Sequence, residues 1–326
     1  MRALPFQVQD NAVAACATTS LWIANSKMNE LFGTPELSPA EITEIASDLV
    51  EMERSFPSKS LYIKQMLNFL KGINMDYDII DVSLRRSIAR NTDLSENLRE
   101  ENAKYLEKAV PNIIKAFVRA EIPIIAILSI KAYDDKRKLV KDIQHSVIIC
   151  GYKENENRDI TEIYVHDDQI GPYTLVETDG DSEGIFLKWK GFWTSKLGYD
   201  EVLLEKLLIP MYPKIRLTYD RIYKGVSDGY FNEKIISLKK MFPALNFDFD
   251  LHLTTVQNYK KNIIKDRSDN EIFCDKIDVL KHFMPRLIWI ADIYVDDHLT
   301  FQAIFDATAH YLRLIKEIDF RLKSQP

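Results

Sequence analysis

The sequence contains little cysteine. Its 326 residues include only three, Cys16, Cys150 and Cys274, an odd number without regular spacing. This pattern argues against a framework of disulfide bonds. The chain also has no CxxC or HExxH motif, and such spacings are typical of structural and catalytic zinc sites. We therefore expect no metal and no cofactor.

The chain also lacks an excess of positive charge and long apolar runs. It has 43 basic and 49 acidic side chains, a net charge of −6, whereas nucleic-acid binding requires a concentrated basic surface. No stretch approaches the ~18 consecutive apolar residues of a membrane span, and the N-terminal residues lack the apolar centre of a secretory signal. These absences argue against nucleic acid as a partner and against membrane insertion, and they predict a cytoplasmic protein.

Apolar residues are nevertheless abundant enough for folded cores. They make up 46% of the chain, and aromatic residues make up 11%. The length of the chain is sufficient for two domains. The segment Ile-Pro-Met-Tyr-Pro at positions 209–213 interrupts a strand-like run and predicts a boundary there. We therefore expect one domain over residues 1–212 and an accessory domain over residues 213–326.

Local patterns predict helices in the first part of the chain and antiparallel strands after them. Apolar residues recur at helical spacing over positions 16–32, which Gly33 follows, and Ser38 with Glu41 forms the start signal of a second helix. The predicted strands cover residues 122–130, 146–150 and 160–166, with a charged loop over 131–142. This order indicates an α+β fold. In the C-terminal region we expect several strands and a final amphipathic helix over residues 307–322.

Cys16 is the residue most informative about function. It lies where a loop leads into the first predicted helix. A cysteine in the first helical turn experiences the positive end of the helix dipole and unpaired backbone N–H groups, which both favour the thiolate. Because the thiolate is the nucleophilic form, this position indicates a reactive cysteine. The alternative is a small core residue, since cysteine is among the most buried residue types.

Two later residues complete a possible catalytic set. His145 opens the apolar run Ser-Val-Ile-Ile-Cys-Gly-Tyr, and Asp167 ends the strand-like segment Glu-Ile-Tyr-Val-His-Asp. A cysteine nucleophile, a histidine base and an orienting acid in this chain order are typical of a papain-like site. Taken singly, His145 is compatible with an ordinary strand histidine, and Asp167 with a turn residue before Gly171.

These segments together resemble papain-like cysteine peptidases, in particular the bacteriocin-processing group that removes double-glycine leaders. The match consists of Gln9, then Cys16 followed by Ala-Thr-Thr-Ser-Leu, then the strand Ile-Pro-Ile-Ile-Ala, then the run from His145 to Gly-Tyr, and finally the strand that ends at Asp167 before Gly171. The resemblance covers roughly residues 4–175. It does not extend to residues 213–326.

The resemblance implies a papain-like fold, with N-terminal helices packed on an antiparallel sheet, followed here by a C-terminal α+β accessory domain. It implies that Cys16 is the nucleophile, His145 the general base and acid, and Asp167 the residue that orients the imidazole. Gln9 would bind the oxyanion together with the backbone N–H of Cys16. Gln7 is a rival of Gln9, and Asp168 is a rival of Asp167 because it stands where the family usually has proline.

The function that this reading predicts is a thiol hydrolase that cleaves peptide or isopeptide bonds through an acyl-enzyme intermediate. Its partner would be a peptide or protein substrate, with a further protein partner possible through the C-terminal domain. An acyltransferase with the same triad is an alternative, because only the second nucleophile differs. A non-catalytic binding or scaffold protein that retains the fold is another.

Overall fold

The computed structural model describes residues 4–8, 15–48, 61–179, 188–234, 236, 245–265, 276–296 and 298–319. The chain divides into two compact units. The first comprises Met1–Ile114 and Glu121–Pro213, and the second comprises Lys115–Ala120 and Lys214–Pro326. Each unit is described separately below.

The first unit begins with three helices and continues with strands that alternate with shorter helices. The described helices are α1 (Cys16–Phe32), α2 (Pro39–Ser47), α3 (Ile63–Gly72), α4 (Val82–Arg90), α5 (Glu96–Lys104), α6 (Val110–Arg119) and α7 (Phe192–Ser195). The part of α6 from Lys115 onward belongs to the second unit. A π-helical turn, Tyr105–Ala109, joins α5 to α6. The strands are β1 (Asp76–Asp81), β2 (Ile124–Tyr133), β3 (Leu139–Glu154), β4 (Ile160–Asp167), β5 (Gly171–Asp179), β6 (Lys188–Lys190) and β7 (Glu201–Met211).

These seven strands form one antiparallel sheet in the order β1-β7-β2-β3-β4-β5-β6. Strand β6 also pairs with β7 at Lys188 and Leu203, so the sheet curls until its far strand meets β7. The expectation of an α+β fold with helices and an antiparallel sheet is therefore confirmed at the level of fold class.

Helix α1 is the central helix of the first unit. Its N-terminal half is buried on nearly every side, since residues 16–21 all have little exposed surface, as expected of a helix enclosed by other elements rather than lying on the surface. It contacts β3 and β2 on the sheet. The helix ends at Gly33, whose φ of 73° is the left-handed conformation that glycine adopts most easily. The predicted extent of this helix is confirmed.

Two further local predictions can be compared with the structure. The start of α2 is confirmed, because the Ser38 side chain accepts a hydrogen bond from the Glu41 backbone N–H and the Glu41 carboxylate accepts one from the Ser38 backbone N–H. The predicted loop over residues 131–142 is wrong in its extent. Strand β2 continues to Tyr133 and β3 begins at Leu139, because cross-strand pairing extends this charged hairpin well beyond its apolar part.

The second unit contains an antiparallel sheet of four strands in the order β11-β10-β9-β8. The strands are β8 (Phe247–Thr255), β9 (Leu287–Val295), β10 (His298–Asp306) and β11 (Leu314–Asp319). Its helices are α8 (Tyr219–Lys224), which a π-helical turn follows over Gly225–Phe231, α9 (Val256–Lys265) and α10 (Lys276–Lys281). A core cluster that includes Ile288, Ile290, Ile304 and Ile318 lies on one face of this sheet.

The final helix predicted over residues 307–322 is wrong. Residues 314–319 form strand β11, which pairs with β10. The apolar residues Ile315 and Ile318 recur at a spacing that a helix also satisfies, and pairing with the edge of β10 decides the outcome. Ile318 then packs beside Ile304 in the core cluster. Among the described helices of both units, none combines the length and apolarity needed to cross a bilayer.

Candidate active site

Three of the four residues predicted to be catalytic meet in the first unit. Cys16 is the first residue of α1, His145 lies in β3, and Asp167 is the last residue of β4. Strands β3 and β4 are neighbours, with His166 opposite Ile148, so the end of β4 comes beside His145. The fourth residue, Gln9, lies outside the described residues. Its rival Gln7 is described and is exposed.

His145 and Asp167 form a buried hydrogen bond. The Nε2 atom of His145 lies 2.9 Å from Oδ2 of Asp167, and the two residues expose only 4% and 0% of their surfaces. The other carboxylate oxygen, Oδ1, accepts hydrogen bonds from the backbone N–H groups of Gln169 at 2.7 Å and Ile170 at 3.1 Å. The turn after β4 thereby fixes the carboxylate, and the carboxylate fixes the imidazole.

His145 also forms a hydrogen bond with Cys16. Because Nε2 faces Asp167, the remaining ring nitrogen, Nδ1, is the one left for the thiol. Burial acts to lower the pKa of His145, but the hydrogen bonds to Asp167 and Cys16 and the negative charges of both partners raise it to about 10. The imidazole therefore keeps its proton at neutral pH, and a cation beside the thiol favours the thiolate form of Cys16.

The backbone at the start of α1 adds a second electrostatic contribution. The first intrahelical bond runs from the Thr19 N–H to the Ala15 carbonyl at 2.8 Å. Ala15 supplies no side-chain cap, and the first turn contains no acidic residue. The earlier N–H groups, including that of Cys16, thus have no acceptor within the helix. They present the positive end of the helix at the place where the sulfur lies.

A pair of serines, which the sequence analysis did not identify, connects the helix that carries Cys16 to the strand that carries His145. The Ser20 hydroxyl donates to the Ser146 carbonyl at 3.1 Å and lies 3.2 Å from the Ser146 hydroxyl, across 126 residues of sequence. Ser20 is one helical turn after Cys16, and Ser146 directly follows His145. The contact therefore fixes α1 to β3 where the two functional side chains meet.

Trp193 is a further residue that the sequence analysis did not identify. Its ring lies edge-on to the ring of His145, with the centroids 6.3 Å apart, and the side chain is completely buried. A tryptophan in this position keeps water away from the imidazole and so strengthens its hydrogen bonds. The only signal in the sequence is its membership of an aromatic pair, Phe192 and Trp193, well after the strand that ends at Asp167.

Asp168 stands beside the triad in an unusual state. It is 3% exposed, its Oδ1 lies 3.8 Å from Nε2 of His145, and neither of its oxygens has a hydrogen-bond partner on another described residue. Burial raises the pKa of Asp168 to about 6, against the opposing attraction of His145. Of the two rival acids, Asp167 is the one whose carboxylate is in hydrogen-bonding contact with the imidazole.

The same three side chains are close enough to surround a cation. Ligand atoms of His145, Asp167 and Asp168 all lie within 4.8 Å of one another, and all three residues are buried. A metal ion bound there would take the place of the proton between Nε2 and Oδ2. It would therefore compete with the hydrogen bond that orients His145.

The other residues considered from the sequence have different surroundings. The Cys150 thiol donates to the Tyr164 carbonyl at 3.2 Å, and burial raises its pKa to about 12, so it stays an unreactive thiol at neutral pH. His166 packs edge-on against the rings of Phe6 and Tyr173. Cys274 lies outside the described residues.

A cavity of about 530 Å³ opens beside the triad. Cys16, His145 and Ser146 form part of its wall. Apolar side chains line much of the rest, namely Leu61, Ile63, Met66, Ile127 and Ile143. Its polar wall comes from Asp142 and Gln144 of β3. The sulfur of Cys16 is thus next to a space large enough for several side chains of a bound molecule.

A scan of the chain against models of known protein families finds no match, and a search among curated proteins finds no relative.

Proposed function

We propose that this protein is a thiol hydrolase that cleaves peptide or isopeptide bonds through an acyl-enzyme on Cys16. One observation carries the proposal: a cysteine, a histidine and an aspartate from three separate elements form a continuous hydrogen-bonded chain on the wall of a cavity. A nucleophile bonded to a base that a third group orients is the general arrangement of covalent catalysis. Only Cys16 of the two described cysteines has such partners.

Each residue has a defined part in the proposed reaction. The Cys16 thiolate attacks the carbonyl carbon and forms a C–S bond, and the carbonyl electron pair moves to oxygen. When the tetrahedral intermediate collapses, the C–N bond breaks and the His145 imidazolium gives its proton to the leaving amine. His145, now neutral, takes a proton from water, which attacks the thioester and releases the acid and the thiolate. Asp167 holds the imidazole in one orientation throughout.

The start of α1 supplies a site for the negatively charged oxygen. The backbone N–H of Cys16 belongs to the helix end that has no intrahelical acceptor. A donor directed at such an oxyanion contributes about 3 kcal/mol to transition-state stabilisation in comparable sites. The amide of Gln9 is the second donor that the family resemblance implies.

The proposal is tested by the pH dependence of Cys16 alkylation with iodoacetamide, followed by mass spectrometry to identify the modified cysteine. We expect rapid labelling well below pH 8 in the wild type. His145→Ala should shift the profile to that of an ordinary thiol, because the cation that favours the thiolate is gone. Cys150 is an internal control, since it should label slowly at every pH in both proteins. Slow alkylation of Cys16 at the same rate in the wild type and in His145→Ala would contradict the proposal.

A peptide library then tests turnover. We expect the wild type to cleave a subset of its members and Cys16→Ser to cleave none. Labelling that depends on His145 together with a complete lack of cleavage would mean a reactive thiol that does not hydrolyse amides, and would contradict the hydrolase assignment.

A further inference from the structure

The first half of β3 has one side without a strand partner. Residues 139–147 pair with β2, whereas pairing with β4 begins only at Ile148. Within the described part of the chain, no other backbone hydrogen bond reaches residues 139–144, and nearly all of them are exposed. An edge of this kind presents a row of N–H and C=O groups that can bind another extended chain.

This open edge leads directly to the triad. Asp142, Ile143 and Gln144 belong to it, and all three line the cavity that contains Cys16. His145 is the next residue in the same strand. A peptide that pairs with residues 139–144 would therefore extend along β3 toward the sulfur of Cys16. Proteins use this mode of recognition widely, with main-chain bonds for affinity and side-chain pockets for selectivity.

The far end of the edge carries an excess of positive charge. In the hairpin tip between β2 and β3, Lys136, Arg137 and Lys138 follow Asp134 and Asp135, so residues 134–138 have a net charge of +1. The three basic side chains are exposed. The Asp134 carboxylate accepts the backbone N–H groups of Lys136 and Lys138 at 3.0 and 2.8 Å. It thereby holds the tip in one shape, with the basic side chains in solvent.

Apolar side chains follow the basic ones. Leu139 and Val140 expose 46% and 62% of their surfaces, although a strand of a folded sheet usually covers such residues. Leu139 and Val140 lie between the basic tip and the cavity that contains Cys16. Their exposure is more typical of a surface that binds another chain than of a solvated loop. The net charge of the whole chain is negative, so this basic tip is a local feature that can select for acidic partners.

We propose that an extended, acidic segment of the polypeptide substrate adds to residues 139–144 of β3 as a further strand, with its acidic side chains at the Lys136–Lys138 tip. This inference rests on the proposed hydrolase function, because it names the class of substrate. The rise of a strand is about 3.4 Å per residue, so Lys138 lies roughly 24 Å from His145 along β3. Acidic residues should therefore lie about seven to nine residues from the carbonyl that Cys16 attacks.

The test measures binding separately from turnover. A library of random 20-residue peptides is passed over immobilised Cys16→Ala protein, and the retained peptides are sequenced. We expect enrichment in peptides with a block of Asp and Glu, and this enrichment should decline as salt is added. Wild type treated with the same library should cleave at a bond about seven to nine residues from that block.

Charge reversal provides the decisive comparison. Lys136→Glu with Lys138→Glu should weaken binding of the selected peptides roughly tenfold, a sum of several surface charge pairs. Lys104→Glu with Lys108→Glu is the matched control, because both residues are exposed in the same unit and the change in net charge is identical. Equal binding by the two double variants would overturn the proposal. So would retained peptides without acidic enrichment.

Strand addition has its own signature. Methylation of single backbone nitrogens in a selected peptide should weaken binding at every second residue, because alternate N–H groups point to the neighbouring strand. Uniform tolerance of methylation would refute pairing at the edge. Concentration-dependent dimerisation that the peptide does not displace would also refute it, since a second copy would then occupy this edge. If peptides bind as expected but are never cleaved, the hydrolase assignment is contradicted, whereas the proposed peptide binding at residues 139–144 is supported.

Discussion

The Nε2 atom of His145 lies 2.9 Å from Oδ2 of Asp167, and both side chains are almost completely buried. The consequence is that the imidazole has one orientation, in which Nδ1 is directed to Cys16. Because two anionic partners surround it, the ring keeps its proton to a pKa of about 10. A histidine with this pKa keeps its proton at neutral pH, and a cation in this position favours the thiolate form of Cys16.

Removal of the Trp193 side chain should weaken the hydrogen bond between His145 and Asp167. Trp193→Ala admits water to this bond, which Trp193 otherwise shields. In proton NMR, we expect the ring N–H of His145 that faces Asp167 to exchange with solvent faster in Trp193→Ala than in the wild type. Trp193→Phe, which keeps a ring at this place, should show a smaller increase. Equal exchange rates in the wild type and in Trp193→Ala would contradict this role of Trp193.

Asp168→Asn should change the way stability depends on pH. Burial raises the pKa of Asp168 from 3.8 to about 6. As the pH rises, the unfolded state therefore loses the proton of this carboxyl at a lower pH than the folded state does. The stability that this proton contributes is therefore fully present below about pH 3.8 and is lost as the pH rises from there through about 6. Asp168→Asn has no such loss. The free energy of unfolding of the variant minus that of the wild type should therefore rise by roughly 2 kcal/mol between pH 4 and pH 7.

Urea denaturation at several pH values measures this difference. Cys16 labelling should remain rapid in Asp168→Asn, because Asp167 keeps its contact with the imidazole. A collapse of labelling in this variant would instead identify Asp168 as the orienting acid. A difference in stability that does not vary with pH would show that Asp168 is already ionised in the folded protein.

Ser20→Ala should both destabilise the protein and disturb the site. The change removes the hydrogen bonds from Ser20 to the Ser146 carbonyl and hydroxyl. We expect a loss of about 1–2 kcal/mol, because a buried partner is left unsatisfied. Ser195→Ala is the control, since it removes an exposed bond to the Gly191 carbonyl and should have little effect. Unfolding in urea and the rate of Cys16 labelling are the measurements. Equal behaviour of the two variants would refute the role of the serine pair.

Lys115→Met should be strongly destabilising in the second unit. The Lys115 ammonium lies 3.4 Å from Oδ1 of Asp250, and only 5% and 6% of these side chains are exposed. Removing one member leaves an uncompensated buried charge, at a cost of about 3 kcal/mol or more. Lys71→Met is the matched control, because Lys71 pairs with Asp76 at the surface and should cost less than about 1 kcal/mol. Thermal unfolding of both variants measures the contrast.

Local signals in the sequence were sufficient for much of the first unit. The capping residues of α2 and the glycine that ends α1 gave the correct helix boundaries, since both depend on interactions within a few residues. The chain order of Cys16, His145 and Asp167 pointed to three side chains that do lie together. The serine pair and Trp193 were not identified, because their importance arises from contacts between distant segments that no local pattern encodes.

The errors in the strands have a related cause. The helix predicted over residues 307–322 followed the spacing of apolar residues, but the edge of β10 offered backbone pairing to the same segment. Residues 131–133 and 139–142, which were predicted to lie in a loop, are exposed or half-buried, so burial imposes no apolar alternation on them although they pair as strands. In both places tertiary hydrogen bonding outweighs local preference.

The arrangement of α1 and β3 also has a consequence during synthesis. Cys16 leaves the ribosome 129 residues before His145 and 151 residues before Asp167, so most of the first unit is made between them. Until the curled sheet closes around α1, the thiol has neither its cation nor its folded helix end. The nascent chain therefore carries an ordinary cysteine, and the conditions that favour a thiolate at Cys16 arise only when the long-range contacts of the finished unit are in place.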